Sequence, residues 1–177
     1  MTLISTVTPE QATGSVAETY RQIKESFGWI PNTFQMASVS PTQLEMTWQS
    51  VNYYFKHPSL SAGLLATTRM LVSDVHDCAY CVDFNAAMLI NRCDQTAEQV
   101  AATRLDPKQA PLEPKDKAML LFALKAVDTP HDIAASDLDA LRALGWTDRD
   151  MFDAVAHAAR NVAADILFNT FKIERDF

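Results

Sequence analysis

Helix-opening signatures recur along this chain and strand signatures do not, and that asymmetry limits the fold more than any other feature of the sequence. Thr8-Pro9-Glu10-Gln11 and Ser40-Pro41-Thr42-Gln43 each place a capping hydroxyl before a proline, with glutamine at the third helical position. This is the pattern of a reciprocal N-terminal cap, and helices are expected to begin near 9 and 41. Gly28 marks the end of the first, because a residue without a Cβ accepts the left-handed turn that closes a helix. Trp29-Ile30-Pro31-Asn32 then reads as a loop, with short helical structure from Phe34 to Ser38.

Apolar spacing extends the reading. From Ser61 to about His76, Leu64, Leu65, Met70, Leu71 and Val75 recur at intervals that suit a largely buried helix. A second helix is expected from Cys78 to Asn91, capped by Asp77 or Asp74 and burying Ala86, Ala87, Leu89 and Ile90. Thr96-Ala97-Glu98-Gln99 caps a further short one. Asp106 to Pro114 carries three prolines and is the longest loop, read as a connection within one domain. Helices resume over Lys115 to Val127, over Ser136 to Leu144 closed by Gly145, and from Thr147 to about Ile173. In the last of these, Phe152, Val155, Ala159, Val162, Ile166 and Phe171 form a stripe expected to be core or subunit interface. The expected fold class is all-α: one domain over 1–177 with about seven or more helices.

Composition narrows the function. The chain has 177 residues, 48% of them hydrophobic, which suits an ordered globular domain. The 15 basic residues are scattered among 22 acidic ones, for a net charge of −7, which disfavours nucleic acid and anionic membrane as partners. Met1-Thr2-Leu3-Ile4-Ser5-Thr6 carries no basic region leading into an apolar stretch, and no run of about 18 apolar residues occurs anywhere. A soluble, cytoplasmic protein is expected. Its three cysteines then suit a reversible dithiol better than a static disulfide scaffold.

The chemistry concentrates in Asp77-Cys78-Ala79-Tyr80-Cys81. Spacing alone leaves three readings: a redox dithiol, plain burial of two small apolar side chains, or zinc held by His76, Cys78, Cys81 and Cys93. At a helix N-terminus Cys78 would face unpaired backbone N–H groups that favour its thiolate, with Cys81 on the same face as the resolving thiol. His76, two residues away, is the nearest side chain whose ordinary titration range suits a base. Cys93 alone carries no mechanism. His57, His131 and His157 read as surface or core histidines, and Trp48, Tyr53, Tyr54 and Phe55 as core aromatics or the wall of a small apolar pocket.

The stretch Leu60-Ser61-Ala62-Gly63-Leu64-Leu65-Ala66-Thr67-Thr68-Arg69-Met70-Leu71-Val72-Ser73-Asp74-Val75-His76-Asp77-Cys78-Ala79-Tyr80-Cys81-Val82 resembles the core of the alkylhydroperoxidase AhpD-like, or carboxymuconolactone decarboxylase, superfamily. Gly28-Trp29-Ile30-Pro31-Asn32-Thr33-Phe34 followed by Ser40-Pro41 resembles the upstream stretch of its longer, peroxidase-related members. Leu120 to Ala126, Leu141 to Asp148 and Asn161 to Asn169 resemble their C-terminal helices. The resemblance implies an AhpD-like helical fold with its cysteine-bearing core at about 41–105, assembling as a homodimer, trimer or hexamer.

It also implies an activity. The expected function is thiol-dependent reduction of a small organic hydroperoxide, with Cys78 and Cys81 cycling between dithiol and disulfide and an external thiol or dithiol as reductant, without cofactor or metal. By resemblance Cys81 meets the peroxide and Cys78 resolves, the reverse of the helix-terminus argument. The redox-active members carry a proton relay of a glutamate twelve residues before the first cysteine and a histidine four residues after the second. Those positions hold Ala66 and Asn85, and neither side chain titrates. A redox-sensing or binding oligomer without turnover is the alternative, and a lactone decarboxylase, which does not need the cysteine pair, is a third.

Overall fold

The computed structural model describes residues 2–176. Among them the chain forms nine α-helices and no strand: α1 (Gly14–Phe27), α2 (Asn32–Ala37), α3 (Pro41–Phe55), α4 (Ala62–Val75), α5 (Ala79–Arg92), α6 (Ala97–Leu105), α7 (Pro114–Asp128), α8 (Ala135–Ala143) and α9 (Asp148–Phe171). The all-α expectation holds. The chain gathers into two compact units, one made of residues up to Lys56 and from Leu167 onward, the other of His57–Ile166. The proline-rich loop after Asp106 lies inside the second unit and contains a 3₁₀ turn at Pro107–Gln109. No helix among the described residues is long and apolar enough to cross a membrane.

The helix starts differ in how well they follow the sequence. Thr96 forms the full reciprocal cap with Gln99, and Ser61 accepts from the Leu64 N–H at the start of α4. Ser40 stands at the N-cap of α3 as expected, but its hydroxyl makes no capping bond. The first signature fails as a helix start. Thr8 to Gln11 closes a single turn, with Gln11 N–H donating to the Thr8 carbonyl at 3.0 Å, and α1 begins only at Gly14.

The first unit packs around Tyr20, Ile23, Phe34, Leu44 and Trp48. Trp48 meets Phe34 edge-on, with centroids 5.9 Å apart, and donates its indole N–H to Gln22, so it is core rather than pocket wall. The Gly28-to-Phe34 motif is also structural. Gly28 takes φ +85° to end α1, and Asn32 ties down the C-terminal segment, donating its backbone N–H to Asp176 at 2.8 Å and its amide to the Glu174 carbonyl at 3.1 Å.

In the second unit, α4, α7 and α9 meet through Val72, Ala123 and Ala158. Of the two readings of the α9 stripe, core fails at its exposed members. Phe152 and Ile166 are 74% and 59% exposed, and the buried positions include Met151, Ala154, His157, Ala158, Asn161 and Asp165. The inward face is thus turned by one residue, about 100° of helix, from the one that hydropathy selects. The reason is that three of its members, His157, Asn161 and Asp165, are polar and find partners on α4.

His57 anchors the entry to α4. Its Nδ1 accepts the backbone N–H groups of Ser59 (3.2 Å) and Leu60 (3.0 Å), so its Nε2 carries the ring proton toward Asp153 Oδ2 at 3.2 Å. It is a buried structural histidine rather than a surface one, whereas His131 is exposed. Replacing His57 by alanine removes all three bonds and is expected to lower unfolding free energy by about 2 kcal/mol in urea titration, where an unchanged midpoint would show the anchor to be dispensable.

Candidate functional site

Three polar rungs join α4 to α9. His157 Nε2 donates to the Leu65 carbonyl at 3.2 Å. One turn on, Arg69 Nε donates to Asn161 Oδ1 at 3.1 Å while Asn161 Nδ2 returns a bond to the Arg69 carbonyl at 3.2 Å. A turn further, the Ser73 hydroxyl lies 2.9 and 3.1 Å from the two carboxylate oxygens of Asp165. Every rung spans 92 residues, so the two helices run parallel and in register. Asn161 Nδ2 also reaches Ser73 Oγ (2.6 Å) and Asp165 Oδ2 (3.1 Å), which links the last two rungs.

The ladder ends at the cysteines. Cys78 occupies the N-cap of α5 and Cys81 its third position. Both are free thiols, each 1% exposed. Asp165 is fully buried, and one of its oxygens and the two sulfurs all lie within 4.8 Å of one another. The turn that delivers them is made by Asp77, left-handed at φ +52°, a conformation that aspartate tolerates better than most residues. Cys78 N–H then donates to the Ser73 carbonyl at 2.9 Å. Ser73 therefore holds Cys78 through its backbone and Asp165 through its side chain.

Neither aspartate proposed as the cap of α5 performs that role. Asp74 pairs with Arg104 at 2.6 Å, Asp77 makes the turn, and the N-cap is Cys78 itself.

The electrostatics follow from burial. Desolvation pushes the Asp165 carboxyl up, opposed by hydrogen bonds from Ser73, Cys81 and Cys78 and by the charge of His76. The hydrogen bond to Cys78 pushes the Cys81 thiol up strongly, burial adds to this, and the charge of Arg69 opposes it. Cys81 is the thiol that keeps its proton.

Solved structures of this architecture exist. An uncharacterized peroxidase-related protein from Ralstonia eutropha JMP134, described as an alkylhydroperoxidase AhpD core, superimposes with a TM-score of 0.86 at 22% identity, covering 99% of this chain and 92% of that one. An uncharacterized peroxidase-related protein from Silicibacter sp. TM1040 gives 0.79 at 18% identity over 97% and 87%. A protein of unknown function from Agrobacterium tumefaciens, suggested to be the antioxidant defence protein AhpD, gives 0.65 at 15% identity over 80% and 95%. The chain has the AhpD-like fold. No protein-family model and no curated protein matches its sequence.

On this AhpD-like scaffold the two relay positions are inert. Ala66 is buried, and Asn85 donates its amide to the Cys81 carbonyl at 2.7 Å, a bond within its own helix. His76 caps the C-terminus of α4 and is exposed, outside the group formed by the two sulfurs and the Asp165 carboxyl. The four-ligand zinc set does not assemble. Among the described residues the donors that converge are Cys78, Cys81 and Asp165, without His76 or Cys93. Three donors leave a structural zinc site open, and Asp165 already accepts from Ser73 and Asn161.

Asp165 is the site residue that sequence reasoning missed. The sequence holds only a partial hint, a lone carboxylate in the run Val162-Ala163-Ala164-Asp165-Ile166-Leu167 with Asn161 and His157 four and eight residues before it on one helical face, and nothing in it pairs that face with α4.

The first rung makes acid stability testable. Burial and the charge of Arg69 push the His157 imidazole down to about 3 from 6.5. Between those values the unfolded chain binds a proton that the folded one does not, so stability present above 6.5 falls as pH drops toward 3. The expected slope from this group is up to about 1.4 kcal/mol per pH unit. Denaturant titrations from pH 6.5 to about 4 should show a flatter slope in His157→Gln than in wild type, and equal slopes would contradict the assignment.

Proposed function

We propose that the protein is a thiol-dependent hydroperoxide reductase acting through Cys78 and Cys81. The observation that carries this reading is two free thiols, three residues apart at the start of a helix, with sulfurs in reach of each other and of a buried carboxylate. Two cysteines that served only as packing would not require the energetically unfavourable Asp165 beside them.

In the first step the Cys78 sulfur attacks the terminal oxygen of the hydroperoxide. An S–O bond forms, the O–O bond breaks, Cys78 becomes a sulfenic acid and the organic fragment leaves as the alcohol. Cys81 then attacks the Cys78 sulfur, forming the disulfide and expelling water. An external dithiol reduces the disulfide and leaves oxidised. Cys78 is chosen as the nucleophile because it stands at the helix N-terminus, whereas burial and its neighbours hold the proton on Cys81. This reverses the order that the family resemblance implies.

Assembly as a homo-oligomer fits the apolar side chains that the second unit turns outward, Val75, Leu105, Phe152 and Ile166. A reducing cytoplasm would keep the pair poised for turnover.

Purified protein should consume cumene hydroperoxide with dithiothreitol as reductant, and Cys78→Ser and Cys81→Ser should each abolish turnover. Cys81→Ser should still accumulate a trappable sulfenic acid at Cys78. Equal rates in all three proteins would exclude the mechanism. A stoichiometric disulfide formed without turnover would identify a redox sensor instead.

A further inference from the structure

The dithiol needs a group to take and return protons, and the relay positions supply none. Asp165 meets the requirement by placement. One of its oxygens lies within 4.8 Å of both sulfurs, it is fully buried, and the bonds around it all point toward its oxygens: Ser73 and Asn161 donate to it, and Arg69 fixes the Asn161 amide from behind. We propose that Asp165 is the catalytic proton acceptor and donor of the cysteine pair, reaching the site from α9 in place of a relay on α4 and α5, with Ser73 and Asn161 as its positioning residues. This rests on the dithiol mechanism above.

The proton path then balances. As the Cys78 sulfur bonds the terminal peroxide oxygen and the O–O bond breaks, Asp165 takes the thiol proton and returns it to the departing alkoxide. As the Cys81 sulfur closes on Cys78, Asp165 takes the second thiol proton and gives it to the departing hydroxide, which leaves as water. The carboxylate ends each step as it began, ready for the dithiol reductant to restore the thiols. The charged and titratable groups facing it are Arg69 and His76 from α4 and Cys78 and Cys81 from α5, with His157 two turns away on α9 itself. Burial raises the carboxyl, which brings its proton affinity nearer that of a thiol and improves it as a base.

A purely electrostatic role predicts the opposite outcome from a catalytic one. A carboxylate beside a thiol disfavours the thiolate, so a bystander Asp165 would slow the cysteines and its removal would accelerate them. The test is Asp165→Asn, read by hydroperoxide turnover and, independently, by the rate of Cys78–Cys81 disulfide closure with a small aromatic disulfide oxidant, which requires the thiol protons to leave but no peroxide. Both rates should fall by about 10²-fold or more. The melting temperature should not fall, because a buried acid with a raised pKa is replaced by a neutral isostere. A rate that is unchanged or higher would overturn the proposal. Ser73→Ala provides a second reading: loss of its hydrogen bond raises the Asp165 carboxyl further, so the acidic limb of the closure-rate profile should move to higher pH, and an unmoved limb would also overturn it. Slow closure in Asp165→Asn alongside a wild type that consumes no hydroperoxide would sustain the role of Asp165 and reject only the peroxidase reading.

Discussion

The parallel contact between α4 and α9 is the constraint on which the site depends. Its rungs, Leu65 to His157, Arg69 to Asn161 and Ser73 to Asp165, recur once per turn and exchange hydrogen bonds between groups that are costly to bury alone. An apolar interface would tolerate a helix rotated or slid by a residue at modest cost. This one would not, because a shift of one position would leave Asp165, Asn161 and His157 buried without partners. The ladder therefore fixes the rotation of α9 as well as its position. Phe152 and Ile166 face outward as a result, although hydropathy alone would turn them in.

Ser73 carries that register into the chemistry. Its carbonyl holds the Cys78 N–H and its hydroxyl holds Asp165, so one residue at the last full turn of α4 sets both the thiol and the carboxylate. The left-handed Asp77 lets the chain reverse within three residues and start α5 with Cys78 at its N-cap. The two thiols then lie on the first turn of α5 and the acid arrives from a helix some 80 residues later in sequence. The site is assembled from elements that are each rigid by packing, which is what a proton-transfer geometry requires.

Much of the fold was legible because it depends on local signals. The Thr96 cap, the left-handed Gly28, the proline-opened α3 and the cysteine helix all lie where short-range chemistry puts them. Thr8-Pro9-Glu10-Gln11 shows the limit of such signals, since the same residue pattern closed a lone turn with no following helix to propagate it. The cysteines were legible as a pair, but their acid was not. Asp165 is recognised only once α4 and α9 are paired, and apolar periodicity is blind to a helix face whose buried residues are polar. The relay positions Ala66 and Asn85 were read correctly as unable to titrate, yet their emptiness says nothing about a group that approaches from elsewhere in the chain.

The coupling between the thiols and Asp165 is most directly tested by infrared difference spectroscopy of the reduced and disulfide forms, with Asp165→Asn as the reference. Closing the disulfide removes the two thiol protons beside the carboxyl, whose oxygen lies within 4.8 Å of both sulfurs. A carboxyl band that shifts or changes amplitude on oxidation in wild type and is missing in the variant is the predicted result. A difference spectrum identical in the two proteins would mean that Asp165 does not sense the cysteines, and would contradict the account.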